Sequence, residues 1–313
     1  RLLLFGKPEQ IQRHIPTHEW AYRHMMTDTD YSHREEGTHS IALAAQELEK
    51  NIQRDSPIVT IPQGMFHHEY AAYPPLAVRE ALMNAFVHRD YELAGAVMVK
   101  KYPSRLEISN PGTFLEGIHP DNILHHASTP RNPHLMALLD RVRLVNRTNL
   151  GVPRIYTELL KEGKEPPVYE DSGIQIQLTM FASIVTPELK AYIEEQNELG
   201  VVFSVDQLLI LHYLLKHSKA DVEDISYITQ SAKESAKNQL SELVRLGILE
   251  QVETGKSYIF SQQTSERLQS DFTYERNISL DIERTKILIM SIMQEQGKMK
   301  RSDIQQMTGW SEQ

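Results

Sequence analysis

The sequence has 313 residues, of which 40% are hydrophobic, so the chain is too long for one ordinary core and too apolar to be disordered. It lacks cysteine, which excludes disulfides, thiolate metal sites and cysteine nucleophiles, and no apolar run approaches the roughly 20 residues that span a bilayer. The net charge of −9 argues against coating of nucleic acid through bulk electrostatics, so a DNA-binding surface must be local. We expect a cytoplasmic protein of two or three domains.

Residues 1–56 read as the end of one domain. An apolar run at 2–5 is followed by a polar, histidine-rich loop and by an amphipathic helix near residues 40–52. The chain starts at Arg1 inside an apolar run, which indicates a fragment of a longer protein. We therefore predict that residues 1–56 are the C-terminal remnant of a preceding domain with a connecting helix.

The pattern becomes mixed α/β over a second predicted domain, residues 57–186. Tyr73-Pro74-Pro75 predicts a helix that ends near His88, because proline fits the first helical turn. The sequence Asn110-Pro111-Gly112 is predicted to end a strand. The elements expected after the helix are strands 96–102 and 105–109, a long loop, helices 134–142 and 153–162, and a closing strand 173–180.

After Pro187 the sequence predicts mainly helices. A linker is expected over 187–203 and a winged-helix domain over 204–263, with helices 206–217, 222–229 and 231–246 and two short strands within 248–260. Asp224 to Thr229 corresponds to Asp303 to Thr308 at an offset of 79 residues. This repeat predicts a linker and the first half of a second winged helix over 264–313.

The predicted helix that ends near His88 carries a polar stripe. At 100° per residue Glu80, Asn84, His88 and Tyr91 lie along one side of it, and apolar residues lie on the other. A carboxylate and a carboxamide one turn apart suit a hydrated Mg²⁺, and a glutamate there can act as a general base. The alternative is a solvated helix face without a function.

Four segments in this order carry a family resemblance: Arg79 to Tyr91, Ile108 to Gly112, Arg131-Asn132-Pro133 and Leu150 to Ile155. Together they resemble the ATPase-like domain known as the RecG-related C-terminal domain, a branch of the GHKL superfamily. In that family the domain usually follows a Schlafen AlbA-type domain and precedes winged helices. The resemblance implies an α/β sandwich of the GHKL or Bergerat type, followed by mainly α winged-helix domains.

The resemblance also implies roles for single residues. Glu80 would be the catalytic residue that orients the hydrolytic water, and Asn84 would bind Mg²⁺ and the nucleotide. The cofactors implied are ATP and Mg²⁺, held between the Glu80 helix and the glycine turns. Further nucleotide-binding positions that it implies are Asn110, Gly112 and Gly151. His88, which shares the Glu80 stripe, and Arg131, which could reach a phosphate, are additional candidates.

The sequence departs from the superfamily at both glycine turns. Asn110 stands where most members have the aspartate that accepts the adenine amino proton, and an amide oxygen accepts that bond more weakly. The second turn offers one glycine, Gly151, where the approach of backbone to phosphate usually uses two or more. Nucleotide binding is therefore better supported than hydrolysis.

Several residues near these motifs have both a structural and a ligand-binding interpretation. Asn132 is predicted to be the N-cap of the helix that begins at Pro133, and Arg131 either pairs with an acid or reaches a phosphate. His88 is predicted to play a hydrogen-bonded supporting role in the Glu80 stripe. No His-Glu-x-x-His spacing occurs among the 14 histidines, so a zinc site of that type is not expected.

The third helix and the wing of the predicted winged helix supply candidate DNA contacts. Between residues 204 and 262 six Lys/Arg stand against eight Asp/Glu, and such an acidic balance is also compatible with protein contacts. The candidate phosphate and base-edge contacts are Lys233, Lys237, Asn238, Gln239, Arg245 and Lys256.

The hypothesis that accounts for most features is an ATP-binding, DNA-binding transcriptional regulator, expected to be a homodimer, in which a GHKL-like domain is coupled to winged helices. One alternative is a slow Mg²⁺-dependent ATPase in a nucleic-acid-processing or defence protein. Another is a protein-interaction scaffold that binds no nucleotide. A helicase motor is excluded, because the sequence has no Gly-x-x-x-x-Gly-Lys-Ser/Thr segment.

Overall fold

The computed structural model describes residues 1–268 except 57, 64–65, 128, 146–149, 183–186, 218 and 253–255, and within 58–70 it describes the backbone alone. The second predicted winged helix thus lies almost wholly outside the described residues. The helices are α1 (Leu2–Phe5), α2 (Pro8–His14), α3 (Ile41–Arg54), α4 (Pro75–His88), α5 (Pro133–Arg141), α6 (Gly151–Lys161), α7 (Pro187–Glu198), α8 (Val205–Lys216), α9 (Val222–Ile228), α10 (Lys233–Arg245) and α11 (Gln262–Leu268).

A six-stranded sheet with the order β2-β1-β5-β6-β8-β7 forms the centre of the mixed α/β part. Strand β1 runs parallel to β5, and all other neighbours in this sheet are antiparallel. Strands β3 and β4 form a separate hairpin, and β9 and β10 form another. The strands are β1 (Trp20–Met25), β2 (Tyr31–Gly37), β3 (Ile58–Gln63), β4 (Phe66–Ala71), β5 (Val97–Lys101), β6 (Arg105–Pro111), β7 (Val168–Asp171), β8 (Gln175–Phe181), β9 (Leu249–Val252) and β10 (Ser257–Phe260).

Residues 1–56 belong to this sheet and its core, so their interpretation as a separate domain remnant is wrong. The expected histidine-rich loop contains β1 and β2, and Trp20, Tyr22 and Leu48 are buried in the same cluster as α4. The helix predicted over 40–52 is present as α3. A domain boundary at residue 57 would cut through a continuous core.

Arg89 ties the N-terminal segment to the end of α4. This arginine is completely buried, and its guanidinium donates hydrogen bonds to the carbonyl oxygens of Thr17, Leu93 and Gly95. A buried cation requires such acceptors, because an unpaired charge in the core is costly. The contact fixes the chain before β1 against the chain that leads into β5.

Helix α4 is the central helix of the core. It begins at Pro75 and ends at His88 as predicted, and Val78, Leu82 and Phe86 are buried. The residues after it, including Tyr91, lie outside the helix, so Tyr91 does not belong to the polar stripe. Burial of the apolar side of α4 leaves Glu80, Asn84 and His88 along the remaining side.

The predicted end of strand β6 is also corrected. β6 continues through Asn110 and Pro111, which pair with Ile176 and Gln175 of β8. The pairing with β5 ends at Ser109, so β6 has one strand neighbour at Pro111. Proline is tolerated there, because a backbone donor is not required on an open strand edge.

Helices α7 to α11 and the β9–β10 hairpin form the C-terminal part of the described chain. Helices α8, α9 and α10 and the two strands confirm the predicted order of elements, within two residues at each helix end. The predicted linker 187–203 is wrong for most of its length, since it contains α7. Leu189, Tyr192 and Ile193 of α7 are buried in the cluster that includes α8 and α10.

This helical cluster adjoins the sheet domain. Tyr156 and Leu160 of α6 and Leu124 from the long loop are buried together with the apolar residues of α8 and α10. Helix α6 therefore contacts both parts of the chain. None of the helices in the described residues is long and apolar enough to cross a membrane.

Candidate nucleotide-binding site

A cavity lies between the polar side of α4 and the sheet. Asn84 and His88 of α4 line it together with Ala81 and Ala85, whose small side chains leave room above the strands. The volume is about 130 Å³. That is roughly ten times the space that one ordered water needs, so the cavity accommodates part of an organic ligand.

The floor of the cavity is apolar with one amide. Ile108 and Leu178 stand side by side on β6 and β8, and Asn110 and Ile176 form the next row. Asn110 is buried, and its Nδ2 donates to the carbonyl oxygen of Pro111 over 3.2 Å. An apolar floor with few polar groups is typical of small-molecule sites.

The remaining wall comes from the loop between β6 and α5 and from the start of α6. The loop side chains that face the cavity are Thr113, Phe114, Leu115, Ile118, Ile123, His126, Ala127, Thr129 and Arg131, and α6 contributes Gly151, Val152 and Pro153. Asn84, His88, Asn110, Arg131 and Gly151, which the sequence placed in four separate segments, thus surround one space. The structure brings these five predicted residues together.

Glu80 lies next to the cavity wall rather than in it. Its Oε2 is 3.3 Å from Nη1 of Arg154, and its Oε1 would be 2.7 Å from a Cβ at residue 151. The absence of a side chain at Gly151 leaves room for the Glu80 carboxylate and the Asn84 amide between α6 and α4. Burial raises the pKa of Glu80, and the charge of Arg154 opposes this rise.

The electrostatics of the cavity favour an uncharged His88. Burial, together with a smaller contribution from the nearby charge of Arg131, lowers the pKa of His88 to about 4. The imidazole is neutral at physiological pH and able to both donate and accept a hydrogen bond. The hydrogen-bonded supporting role of His88 stays a prediction.

Arg131 has both a structural contact and a place in the cavity wall. Its Nη1 lies 3.3 Å from Oδ2 of Asp90, and its Nη2 donates to the carbonyl oxygen of Thr113 over 2.7 Å. Gly112 packs against Asp90 with φ +114°, and a Cβ there would be 3.1 Å from Asp90 Cβ. Gly112 shapes the turn, and it is not one of the residues that line the cavity.

Asn132 occupies the predicted N-cap position of α5, but its side chain does not cap that helix. Its Nδ2 donates to the carbonyl oxygens of Val87 and Arg89, each over 2.8 Å. Asn132 therefore satisfies acceptors at the C-terminal end of α4, which lacks partners of its own for its last carbonyls. The position of Asn132 before α5 was predicted correctly, but its side chain binds the end of α4 instead of capping α5.

Tyr169 of strand β7 is a site residue that was not predicted from the sequence. This side chain lines the cavity, in the same row as Leu178 and Ile108. Its hydroxyl is buried and has no hydrogen-bond partner in the described part of the chain. Burial raises the pKa of Tyr169 well above its usual value. A short edge strand with one aromatic residue gives little signal in a sequence.

The predicted DNA contacts are spread over the outer side of α10 and the hairpin. Lys233, Lys237, Asn238 and Arg245 on α10 and Lys256 beside β10 are exposed. Gln239 is half-buried, and Ser204 Oγ lies 3.5 Å from its Oε1, so it turns toward α8 instead.

Two of these cations already have acidic partners. Lys233 pairs with Glu223, and Arg245 contacts Glu242 over 2.6 Å. Exposed pairs of this kind contribute little to stability and separate at small cost. Within the described residues there is no cluster of three or more histidine, aspartate or glutamate side chains that could hold a metal ion.

Helices pack on a mixed sheet, and a ligand-sized cavity lies beneath a helix that carries a glutamate and an asparagine one turn apart. Residues 95–180 match the family model described as "Putative ATP-dependent DNA helicase recG C-terminal". This match supports the predicted resemblance of this part of the chain to the RecG-related, GHKL-like family. Helix α4 precedes the matched segment.

The fold is shared with a solved structure, the DIP2311 protein from Corynebacterium diphtheriae. The TM-score is 0.69 at 21% identity, over 80% of this chain and 53% of that chain. At this identity the similarity concerns the fold, and the present chain spans about half the length of that protein. Among curated proteins no match was found.

Proposed function

We propose that the cavity binds ATP with Mg²⁺ and that this binding controls a DNA-binding winged helix formed by α8 to α10 and the β9–β10 hairpin. The observation that carries the proposal is the convergence of Asn84, His88, Asn110, Arg131 and Gly151 on one cavity in an ATPase-like domain. A family of this kind indicates nucleotide binding. We propose, beyond this indication, that the nucleotide is ATP, that it binds with Mg²⁺, and that the partner is DNA.

The donor set around the cavity fits a nucleotide. The apolar floor of Ile108, Ile176 and Leu178 suits a planar base, and Asn110 adds an amide at the same level. The N-terminus of α6 begins at Gly151 beside Asn84, and helix N-termini favour phosphate. Asn84 would hold Mg²⁺ through its amide oxygen, and bound Mg²⁺ would offset the charge of the phosphates.

The C-terminal part supports a winged helix by its order of elements. Helices α8, α9 and α10 precede the β9–β10 hairpin, and Ala220 in the connection between α8 and α9 forms a bridge with Tyr258 of β10. Helices α8 and α9 both start with capping boxes, at Ser204 and Asp221. In this architecture α10 would be the helix that enters the DNA groove.

Titration of ATP and Mg²⁺ by isothermal calorimetry tests the nucleotide site. We expect binding by the wild type and a loss of at least tenfold in affinity for Asn84→Ala. Asn197→Ala, which removes an exposed asparagine from α7, is the matched control and is expected to bind as the wild type does. A wild type that binds no nucleotide would remove the ATP half of the proposal.

The DNA half is tested separately through Lys237, whose side chain is exposed on α10. Lys237→Ala is expected to weaken binding to mixed-sequence DNA fragments and to lower the salt slope of log K by about one unit. Lys50→Ala on α3 is the control for the loss of one exposed lysine. DNA mobility that stays unaltered at low salt favours a protein-interaction scaffold.

A slow ATPase is the second candidate, and one observation favours it. Glu80 adjoins Asn84 and Gly151, and its raised pKa is suited to a general base. To act as a general base, Glu80 must either break its ion pair with Arg154 or bind the water with its other carboxylate oxygen. Steady phosphate release that Glu80→Ala abolishes would establish hydrolysis, whereas release unaffected by this change would come from a contaminant.

A further inference from the structure

The loop of residues 113–127, here called the cavity loop, has two opposite contact sides. Ile123 and His126 face the cavity beneath α4. Between them Leu124 is 2% exposed and packs into the helical cluster of α8 and α10. Adjacent residues of one short segment thus contact the nucleotide site on one side and the C-terminal part on the other.

Gln230 holds the cavity loop from the C-terminal side. It lies in the turn between α9 and α10, three residues before Lys233. Its Oε1 accepts a hydrogen bond from the backbone N–H of Leu124 over 2.8 Å, and its Nε2 donates to the carbonyl oxygen of Pro120 over 3.0 Å. Both ends of the side-chain amide therefore bind the loop backbone, more than 100 residues away in sequence.

The backbone of Gln230 is held in an uncommon conformation. Its φ is +53°, in the left-handed region that favours glycine and that costs other residues about 1 kcal/mol. Surrounding contacts must offset this cost, and the two hydrogen bonds to the cavity loop are such contacts. From this backbone conformation the Gln230 side chain reaches both Pro120 and Leu124.

A second contact fixes the same loop to helix α8. Nε2 of His125 lies 3.0 Å from Oδ1 of Asp206, whose side chain is 8% exposed. Asp206 is in the first turn of α8. The cavity loop is thus attached at Pro120, Leu124 and His125 to both α8 and the turn that leads into α10.

We propose that Gln230 is a positioning residue that couples the nucleotide cavity to helix α10 through the cavity loop. This inference rests on the proposed function, and it names the regulatory element of the same site. A nucleotide that orders Ile123 and His126 fixes Leu124 between them, and Gln230 transmits this order to the α9–α10 turn. By thermodynamic reciprocity, a ligand that fixes α10 also strengthens nucleotide binding.

Hydrogen–deuterium exchange of the full chain, with and without the non-hydrolysable ATP analogue AMP-PNP and Mg²⁺, tests this coupling. In the wild type the analogue is expected to slow exchange in the cavity loop and also in residues 225–237. Gln230→Gly removes the side chain and leaves a residue that adopts positive φ without strain. This variant is expected to keep the slowing in the loop, lose it over 225–237, and bind the analogue about 5- to 20-fold more weakly.

Two further variants control the experiment. Gln230→Glu keeps an acceptor for Leu124 N–H but loses the donor to Pro120, so it is expected to lie between the wild type and Gln230→Gly and also serves if the glycine variant unfolds. Gln53→Ala on α3 removes an exposed glutamine whose amide contacts Glu49, and it is expected to behave as the wild type.

The outcomes separate the two proposals. Analogue binding without slower exchange over 225–237, or slowing that persists in Gln230→Gly, would overturn the coupling and leave the nucleotide site intact. A wild type that does not bind the analogue would overturn the proposed function and the coupling with it. Loss of the distant slowing in Gln230→Gly alone, with Gln53→Ala unchanged, supports the coupling.

Discussion

Gly151, at the start of α6, lies against Glu80 and Asn84 of α4. A Cβ at this position would be 2.7 Å from Oε1 of Glu80 and 3.3 Å from Nδ2 of Asn84. The Glu80 carboxylate is the end of a flexible side chain, so Gly151→Ala is expected to displace it rather than unfold the protein. Alanine also favours the helix by up to about 1 kcal/mol, so the net change in stability should be small.

The expected result of Gly151→Ala is a melting temperature near that of the wild type with nucleotide affinity reduced several-fold. A double-mutant cycle with Glu80→Ala identifies the cause. If displacement of Glu80 is responsible, the double variant should bind no more weakly than Glu80→Ala alone. Fully additive losses would show that Gly151 contacts the ligand independently of Glu80.

His88 predicts a pH dependence of stability. Its folded pKa of about 4 lies below the usual value of 6.5, so the unfolded chain binds the proton more readily. This contribution to stability is complete above about pH 6.5 and is lost as the pH falls toward 4. Urea unfolding at several pH values should show a smaller loss over this window for His88→Gln than for the wild type.

His134→Gln provides the comparison for His88, because it removes an exposed histidine on α5. It should leave the pH profile of stability as it is in the wild type. An equal loss of stability between pH 6.5 and 4 in wild type and His88→Gln would contradict the burial of the imidazole beside Arg131.

Single site residues could be predicted from the sequence where helical periodicity applied. Glu80, Asn84 and His88 follow from the stripe of α4. Three further predicted residues, Asn110, Arg131 and Gly151, line the cavity, whereas Gly112 lies beside its wall. The partner of Glu80 was not predictable, because Arg154 is 74 residues away and belongs to another helix. Tyr169 was missed because the four-residue edge strand β7 gives little signal in the sequence.

At the level of elements, the end of α4 is joined to the start of α5 by the side chain of Asn132. Asn132 serves the carbonyl oxygens of Val87 and Arg89, and both acceptors would lose this donor in Asn132→Ala. Unsatisfied buried acceptors cost about 1 to 3 kcal/mol, so unfolding free energy should fall by an amount in this range. Chemical denaturation measures the change.

Asn197→Ala is the control for Asn132→Ala, and a surface change of this kind should stay within about 0.5 kcal/mol of the wild type. A loss of similar size in both variants would mean that the contacts of Asn132 do not stabilise the junction. A large loss of unfolding free energy in Asn132→Ala alone supports the conclusion that Asn132 stabilises the junction of α4 and α5.

Elements with regular periodicity were predicted and irregular ones were not. Helices α3, α4, α8 and α10 follow from amphipathic patterns. Strand β2 is mostly exposed and polar, and β1 contains His24 and Arg23 among buried residues, so neither shows a clean alternation. Their place in the sheet depends on the parallel pairing of β1 with β5 across about 75 residues of chain, which a local pattern does not reveal.

For the whole molecule, the contact between the sheet domain and α8 predicts a response to acid. Glu165, which follows α6, lies 3.3 Å from Nε2 of His212 and also pairs with Lys216. His212 and Lys216 lower the pKa of Glu165 to about 2. This stabilisation is present above the unfolded value near 4.5 and is lost as the pH falls toward 2, so Glu165→Gln should flatten the pH dependence of stability between these values. The difference is on the order of 1 kcal/mol after allowance for solvent screening.

Urea unfolding between pH 2.5 and 6 measures this difference in stability, with Glu36→Gln on the exposed strand β2 as the control. Parallel profiles for all three proteins would mean that the two parts of the chain are held together by apolar contacts of Tyr156 and Leu160 without a contribution from this ion pair.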